Sequence, residues 1–206
     1  MAMPNRARTR PYIVGIGGTM RTGSSSEKAL RLSLASAQLQ GAEVALLSGD
    51  DLDLPMFAPE ARERPAKVIR LLGELRRCDG LILASPSYHG SISGLLKNAL
   101  DYTEDLRSDA RVYLAGLPVG LIACGAGWQG AASALSTLRV IVHALRGWPT
   151  PLGAALNTAS SPFDQAGTCV DPSASFQLQT IGSQVVEFAQ MARSHEPLLA
   201  VAETVC

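Results

Sequence analysis

The stretch Tyr12–Ser26 (YIVGIGGTMRTGSSS) carries a short apolar run into a loop built of glycines and hydroxyl residues. An apolar run of this length, closed by adjacent glycines, reads as a buried strand ending in a turn. Ser24 to Ser26 then offer hydroxyl N-caps. Ala29, Leu30, Leu32, Leu34, Ala37 and Leu39 follow as a broad apolar helical face that ends before Gly41. Strand, Gly/Ser loop and helix together make the first half of a crossover unit. The repetition of that unit along the chain decides the fold.

Working outward, Glu43–Ser48 (EVALLS) is a second strand, and Gly49–Arg64 a polar, proline-containing loop without a clear period. Loops of that length often line sites, and this one is expected to shape substrate access. Pro65 starts a helix through Arg77 with Val68, Ile69, Leu71, Leu72 and Leu75 as its apolar face. Gly80–Ser85 is an apolar central strand, Pro86–Gly94 a loop, and Leu95–Tyr102 the start of a third helix. Pro118–Cys124 is a fourth strand, the Gly125–Gly130 loop opens a helix from about Ala131 to Leu145, and Leu152–Leu156 is a fifth strand. A helix over Ser173–Ala192 completes the pattern. Strands alternating with helices imply right-handed crossovers and a parallel sheet covered on both faces. The expected fold class is therefore α/β, a doubly wound five-stranded parallel sheet in the order 2-1-3-4-5. Its ligand crevice lies at the carboxyl ends of the strands, between strands one and three.

The chain has 206 residues, 47% of them hydrophobic, enough for one substantial core. One domain over residues 11–195 is expected, with a short N-terminal stub (1–10) and a C-terminal tail (196–206). Lysine plus arginine and aspartate plus glutamate balance at 18 each, so no overall field favours a nucleic acid or an anionic membrane. No apolar run approaches a membrane span. The stretch after the N-terminal arginines is too short for a signal sequence, so a cytoplasmic protein is expected. Cys78, Cys124, Cys169 and Cys206 are scattered, with no spacing that suggests a metal site.

Three Gly/Ser-rich loops converge on the expected crevice. The first, Gly18–Ser26, supplies hydroxyls, backbone amides and the guanidinium of Arg21 at a helix N-terminus, each suited to a phosphate. An ordinary capped βα turn uses the same residue types. The second, Pro86-Ser87-Tyr88-His89-Gly90-Ser91-Ile92-Ser93-Gly94, sets an aromatic and an imidazole among small residues whose backbone suits a planar ring; a sharp turn with a packed tyrosine reads equally well. The third, Gly125-Ala126-Gly127-Trp128-Gln129-Gly130, allows close backbone approach to a ligand, or a packing role for Trp128. Several other motifs fail. Met20 stands where a dinucleotide fingerprint needs its third glycine, the Walker ending is missing, and Ile92 stands where a hydrolase elbow needs serine. Gly17-Gly18 and Ser85-Pro86 lack the acids of a receiver domain, and Gly130 stands where a cysteine phosphatase needs arginine.

Taken together, the loops resemble the NADPH-dependent FMN reductase family, the flavodoxin-like group of flavin, quinone and azo reductases. Gly18, Thr19, Arg21, Gly23 and Ser24 follow its Gly-Ser-x-Arg-x-x-Ser-x-Asn pattern, with Thr19 for Ser and Ser26 for Asn. Pro86-x-Tyr88-His89-Gly90-Ser91-Ile92-x-Gly94-x-x-Lys97-Asn98-Ala99-Leu100-Asp101 is similar to its Pro-x-Tyr-Asn-Gly-Ser-Ile-Pro-Gly-x-Leu-Lys-Asn-Ala-Ile-Asp signature, with His89 replacing Asn. The resemblance implies a flavodoxin-like fold and FMN bound by Thr19, Arg21, Ser24, Ser26, Pro86, Tyr88, His89, Gly90, Ser91, Gly125 and Gly127. NADPH or NADH serves as co-substrate, and no side-chain acid or base is obligatory. His89 is a candidate charge stabiliser at the ring. Lys97, Asn98 and Asp101 read as capping, surface-pairing or subunit-contact residues. The family implies discharge to a small-molecule acceptor or a partner monooxygenase, and a homodimer or homotetramer. A one-electron carrier is the non-enzymatic alternative.

Overall fold

A computed structural model describes residues 9–61 and 63–195. The expected stub lies outside them over residues 1–8, as does the expected tail at 196–206. The chain runs β1 (Tyr12–Gly17), α1 (Ser25–Leu39), β2 (Glu43–Leu47), α2 (Ala66–Arg77), β3 (Gly80–Tyr88), β4 (Ser91–Ile92), α3 (Gly94–Asp101), β5 (Pro118–Gly125), α4 (Trp128–Ala144), β6 (Trp148–Asn157) and α5 (Pro172–His195). The sheet has six strands rather than the expected five. Five of them, in the order β2-β1-β3-β5-β6, pair in parallel; counted among themselves they keep the expected doubly wound order. The sixth, β4, is a two-residue strand antiparallel to the end of β3.

Alternation along the strands divides the core in two. Val14 and Ile16 of β1, Leu81 and Leu83 of β3, and Val119 and Leu121 of β5 meet α2, α3 and α4. Ile13, Ile82, Ala84 and Ile122 point the other way, onto Leu30 and Leu34 of α1 and Leu178, Ile181 and Val185 of α5. Two residues counted into apolar faces from periodicity face solvent instead: Leu39 is 89% exposed and Ile69 59%. Leu39 is the last residue of its helix, and Ile69 lies on the flank of a strongly amphipathic one.

β3 and β6 are longer than expected. β3 continues through Pro86, which pairs with Cys124 of β5 after β1 has ended at the Gly17↔Ala84 pair. With no β1 ladder on its other flank, a proline there disrupts little. β6 includes Pro149 and Pro151 because it is an edge strand with an irregular register opposite Val119–Leu121.

α1 packs directly against α5. Ser33 and Ser36 donate hydroxyl bonds to the Leu178 and Gln179 carbonyls, each at 2.8 Å, and Gly182 lies directly against α1. A Cβ on Gly182 would strike the Ser33 carbonyl oxygen and come within 2.9 Å of Ser36 Cβ and 3.0 Å of Ala37 N. Gly182→Ala is expected to cost about 2 kcal/mol through overpacking, lowering Tm by roughly 4–8 °C. A thermal melt followed by circular dichroism reads this directly.

Candidate functional site

The three loops do meet at the carboxyl ends of β1, β3 and β5, and specific bonds join them. Gly18 N–H donates to the Ala84 carbonyl at 2.8 Å. Any Cβ on Gly18 would lie 2.5 Å from Ser93 Oγ and 2.7 Å from Leu96 Cβ, so the first loop passes directly against the start of α3. The buried Ser85 hydroxyl donates to the Pro86 carbonyl at 2.8 Å and accepts the Ser93 N–H at 2.9 Å. Ser87 O–H donates to the Gly130 carbonyl at 2.8 Å, and Ser133 O–H to the Gly90 carbonyl at 2.5 Å. These two bonds tie the second loop to the third and to the helix that follows it.

In the first loop Ser24 is the N-cap of α1, its Oγ accepting the Glu27 N–H at 3.3 Å. Ser24 and Ser26 are 5% and 2% exposed, and their hydroxyls lie 3.3 Å apart. One hydroxyl hydrogen suffices for that mutual contact, so the buried pair has a second O–H donor to give. The backbone N–H groups of Gly18, Arg21, Gly23 and Ser24 are committed within the loop or to β3 and α1. Those of Thr19, Met20, Thr22, Ser25 and Ser26 have no protein acceptor among the described residues. The Thr19 hydroxyl accepts the Arg21 N–H at 3.1 Å, leaving the Arg21 side chain exposed beside the loop. Uncommitted N–H and O–H donors, a helix N-terminus and one cation form a donor set of the kind an anion takes.

The second loop closes as a hairpin, the sharp turn that the sequence left open as an alternative, but with Tyr88 exposed and not packed. Tyr88 pairs with Ser91 and Ser87 with Ile92, leaving His89 and Gly90 as a two-residue turn with φ of 52° and 81°. Positive φ at both positions is the type I′ turn, whose preferred sequence is Asn-Gly. His89 therefore stands at a position where the backbone selects the residue type, and its ring is exposed. Pro86 is half-buried, while Tyr88 is 57% exposed at the hairpin end.

In the third loop Gly125 is required by packing: its Cβ would lie 2.9 Å from Ala131 N, and one on Gly130 would lie 3.1 Å from Ser87 Oγ. Gly127 is extended, open to space, and caps α4 without a side-chain bond, whereas α1 and α3 have serine caps from Ser24 and Ser93. Trp128, the first residue of α4, is 65% exposed and borders a cleft with Asn157, Ser160, Asp171 and Gln177. Cys124, at the end of β5, is 4% exposed, and burial pushes its thiol up to about 12. It is a core residue there, not a nucleophile.

One contributor has a role other than the one read from sequence, and one was not singled out. Asn98 fastens the long loop after β2: its Oδ1 accepts the Phe57 N–H at 2.8 Å, and its Nδ2 donates to the Leu54 and Pro55 carbonyls at 3.3 and 2.9 Å. Tyr102 O–H donates to the same Pro55 carbonyl, and Arg64 grips Asp105 through two bonds. Lys97 and Asp101 do pair on the surface, but Asn98 faces inward. Glu27 is the other, and its signal was legible: Ser24-x-x-Glu27 is a capping-box spacing.

A sequence profile of NADPH-dependent FMN reductases matches residues 11–160. The FMN-dependent NADPH-azoreductase of Staphylococcus aureus is 35% identical over 141 residues, which span 68% of this chain and 71% of that one. Among solved structures, FerB, a flavoenzyme NAD(P)H:(acceptor) oxidoreductase from Paracoccus denitrificans, superposes with a TM-score of 0.71 at 22% identity, covering 88% of this chain and 98% of its own. RosB, solved with 8-demethyl-8-formylriboflavin-5'-phosphate, gives a TM-score of 0.74 at 16% identity over 94% of this chain and 85% of its own. At those identities the two structures speak for the fold.

The type I′ geometry generates a test. His89→Asn is expected to raise stability by about 0.5–1 kcal/mol, because asparagine tolerates the left-handed backbone more readily than most residues. Gly90→Ala is expected to lower it by about 1 kcal/mol or more. Urea unfolding midpoints at constant slope check both.

Proposed function

Because the chain belongs to the NADPH-dependent FMN reductase family, we propose that it binds FMN where its three loops meet, with the phosphate on the β1–α1 loop. The observation that carries this placement is the donor set of that loop: the buried Ser24–Ser26 hydroxyl pair, the uncommitted N–H groups of the first turn, and Arg21 beside them. Thr19 has already given its hydroxyl to the Arg21 N–H as an acceptor, and its own O–H hydrogen is left to donate.

Bound FMN supplies a two-electron centre that takes hydride from NADPH or NADH and passes reducing equivalents to an acceptor. The chain's residues hold and orient. The hairpin from Pro86 to Ser91 and the glycines Gly125 and Gly127 are assigned to the ring, by resemblance to the family signature. The hairpin is fastened to α4 through Ser87 and Ser133, which gives the ring a fixed seat. Gly127 leaves the first-turn N–H groups of α4 without a side-chain cap, so the positive end of that helix favours negative charge developing on a nearby ring edge. We assign charge stabilisation to this helix end in preference to His89, whose place in the turn has a backbone reason.

We assign the role of a flavin reductase that delivers reduced flavin to a partner such as a monooxygenase. The likeness to the S. aureus azoreductase favours a second reading, in which FMN is retained and a quinone or azo compound is reduced. The family resemblance implies a homodimer or homotetramer, and Tyr88 and Trp128 are the apolar surface at the crevice mouth that assembly would cover.

Mixing the protein with FMN and following NADPH and NADH oxidation by absorbance, anaerobically and in air, tests the assignment; flavin-dependent oxidation is expected. Arg21→Ala is expected to raise the Kd for FMN about tenfold or more, the cost of one charge-assisted hydrogen bond, and to leave riboflavin binding unchanged. Equal loss for both flavins in a fluorescence titration defeats the phosphate placement.

A further inference from the structure

The β1–α1 loop already contains an anion of its own. Glu27, in the first turn of α1, is 6% exposed. Its Oε2 accepts the Gly23 N–H at 2.8 Å, and its Oε1 accepts bonds from Arg31 Nε at 2.9 Å and Nη2 at 2.6 Å. In an ordinary capping box the third-position carboxylate returns to the N–H of the capping residue. Here the N–H of Ser24 goes to the Arg21 carbonyl at 3.3 Å, and the carboxylate reaches one residue further, into the loop itself. Gly23 has φ +69° and nothing within 4 Å of its missing Cβ, so the residue that Glu27 grips borders open space. A carboxylate and a phosphate are drawn to a helix N-terminus by the same features, free N–H donors and the positive end of the dipole. Glu27 thus takes one donor from the set and brings a like charge into the same turn. Arg31, whose side chain is 60% exposed, offsets that charge only in part, because solvent screens it.

We propose that Glu27 is an internal competitor of the flavin phosphate, and that the Glu27–Arg31 pair sets FMN affinity low enough for the flavin to exchange. The inference rests on the placement of the FMN phosphate at the β1–α1 loop, and it deepens the flavin-delivery reading: a reductase that hands flavin on needs a cofactor it releases. The pair acts on the phosphate and not on the ring, so its signature is a change in FMN binding without a change in riboflavin binding.

The test measures Kd for FMN and for riboflavin by fluorescence titration of the full chain, with FMN dissociation rates by stopped flow. Glu27→Gln keeps an oxygen acceptor for the Gly23 N–H and removes the charge. It is expected to tighten FMN about five- to tenfold and slow its release, with riboflavin unchanged within about twofold. Arg31→Gln exposes the carboxylate's full charge and is expected to weaken FMN roughly threefold, again without effect on riboflavin. Unchanged or weaker FMN binding in Glu27→Gln overturns the proposal and leaves Glu27 as a helix cap. If that variant does not fold by circular dichroism, Arg31→Gln decides: an FMN Kd that does not rise overturns it. Failure of the underlying placement looks different. Wild-type protein and Arg21→Ala would then bind FMN no better than riboflavin, and the proposal falls with the phosphate site.

Discussion

The site depends on the way β1 ends. At Gly17 the ladder to β3 stops, yet Gly18 still bonds to the Ala84 carbonyl, and Ser93 and Leu96 occupy the space where a side chain would go. A residue with a Cβ there must push the first loop away from α3 or break the contact with β3. The absence of a side chain therefore brings the β1–α1 loop and the α3 N-terminus to the same point. Parallel strands gather their following loops at one end of the sheet; Gly18 determines how closely two of them approach.

Around that point the protein spends serine hydroxyls on distances between loops. Ser85 holds Ser93, Ser87 holds Gly130, and Ser133 holds Gly90. Each is a neutral hydrogen bond, worth about 1 kcal/mol net, and their common effect is geometric. They join segments far apart in sequence into one rim, so the hairpin tip and the α4 N-terminus cannot drift independently. Asn98 does the same for the loop after β2, satisfying the backbone groups of Leu54, Pro55 and Phe57 with one side-chain amide. A loop without regular structure needs such partners wherever its backbone is buried.

The first loop balances two demands on one set of donors. As a helix start it needs capping, which Ser24 and Glu27 provide; the phosphate placement we propose needs donors left over, which Ser26 and the neighbouring amides offer. The substitution of Ser26 for the family's asparagine shortens one potential ligand group, while Glu27 adds a charge to the same turn. Under the phosphate placement we propose, the shorter side chain and the added charge both favour weaker retention. At His89 the backbone has φ 52°, a conformation asparagine adopts readily, and asparagine is the residue that the resembled family signature carries there.

Sequence alone determined the alternation of strands and helices, the doubly wound order of the five parallel strands, the two-sided burial and the identity of the three loops. These follow from apolar runs, caps and glycines, which act over a few residues and leave local marks. It did not disclose β4, because a two-residue strand exists only through its partner in β3. It also cut β6 short, because prolines argue against a strand until its edge position is known. Leu39 and Ile69 were counted as core because periodicity locates a face but not its limits. Tertiary structure alone decided which hydroxyls are spent and which are left to donate, that Asn98 points inward, and that Glu27 reaches past its cap to Gly23. Those outcomes depend on distances between atoms that the chain brings together only when the sheet closes its two faces, and no spacing along the sequence encodes them.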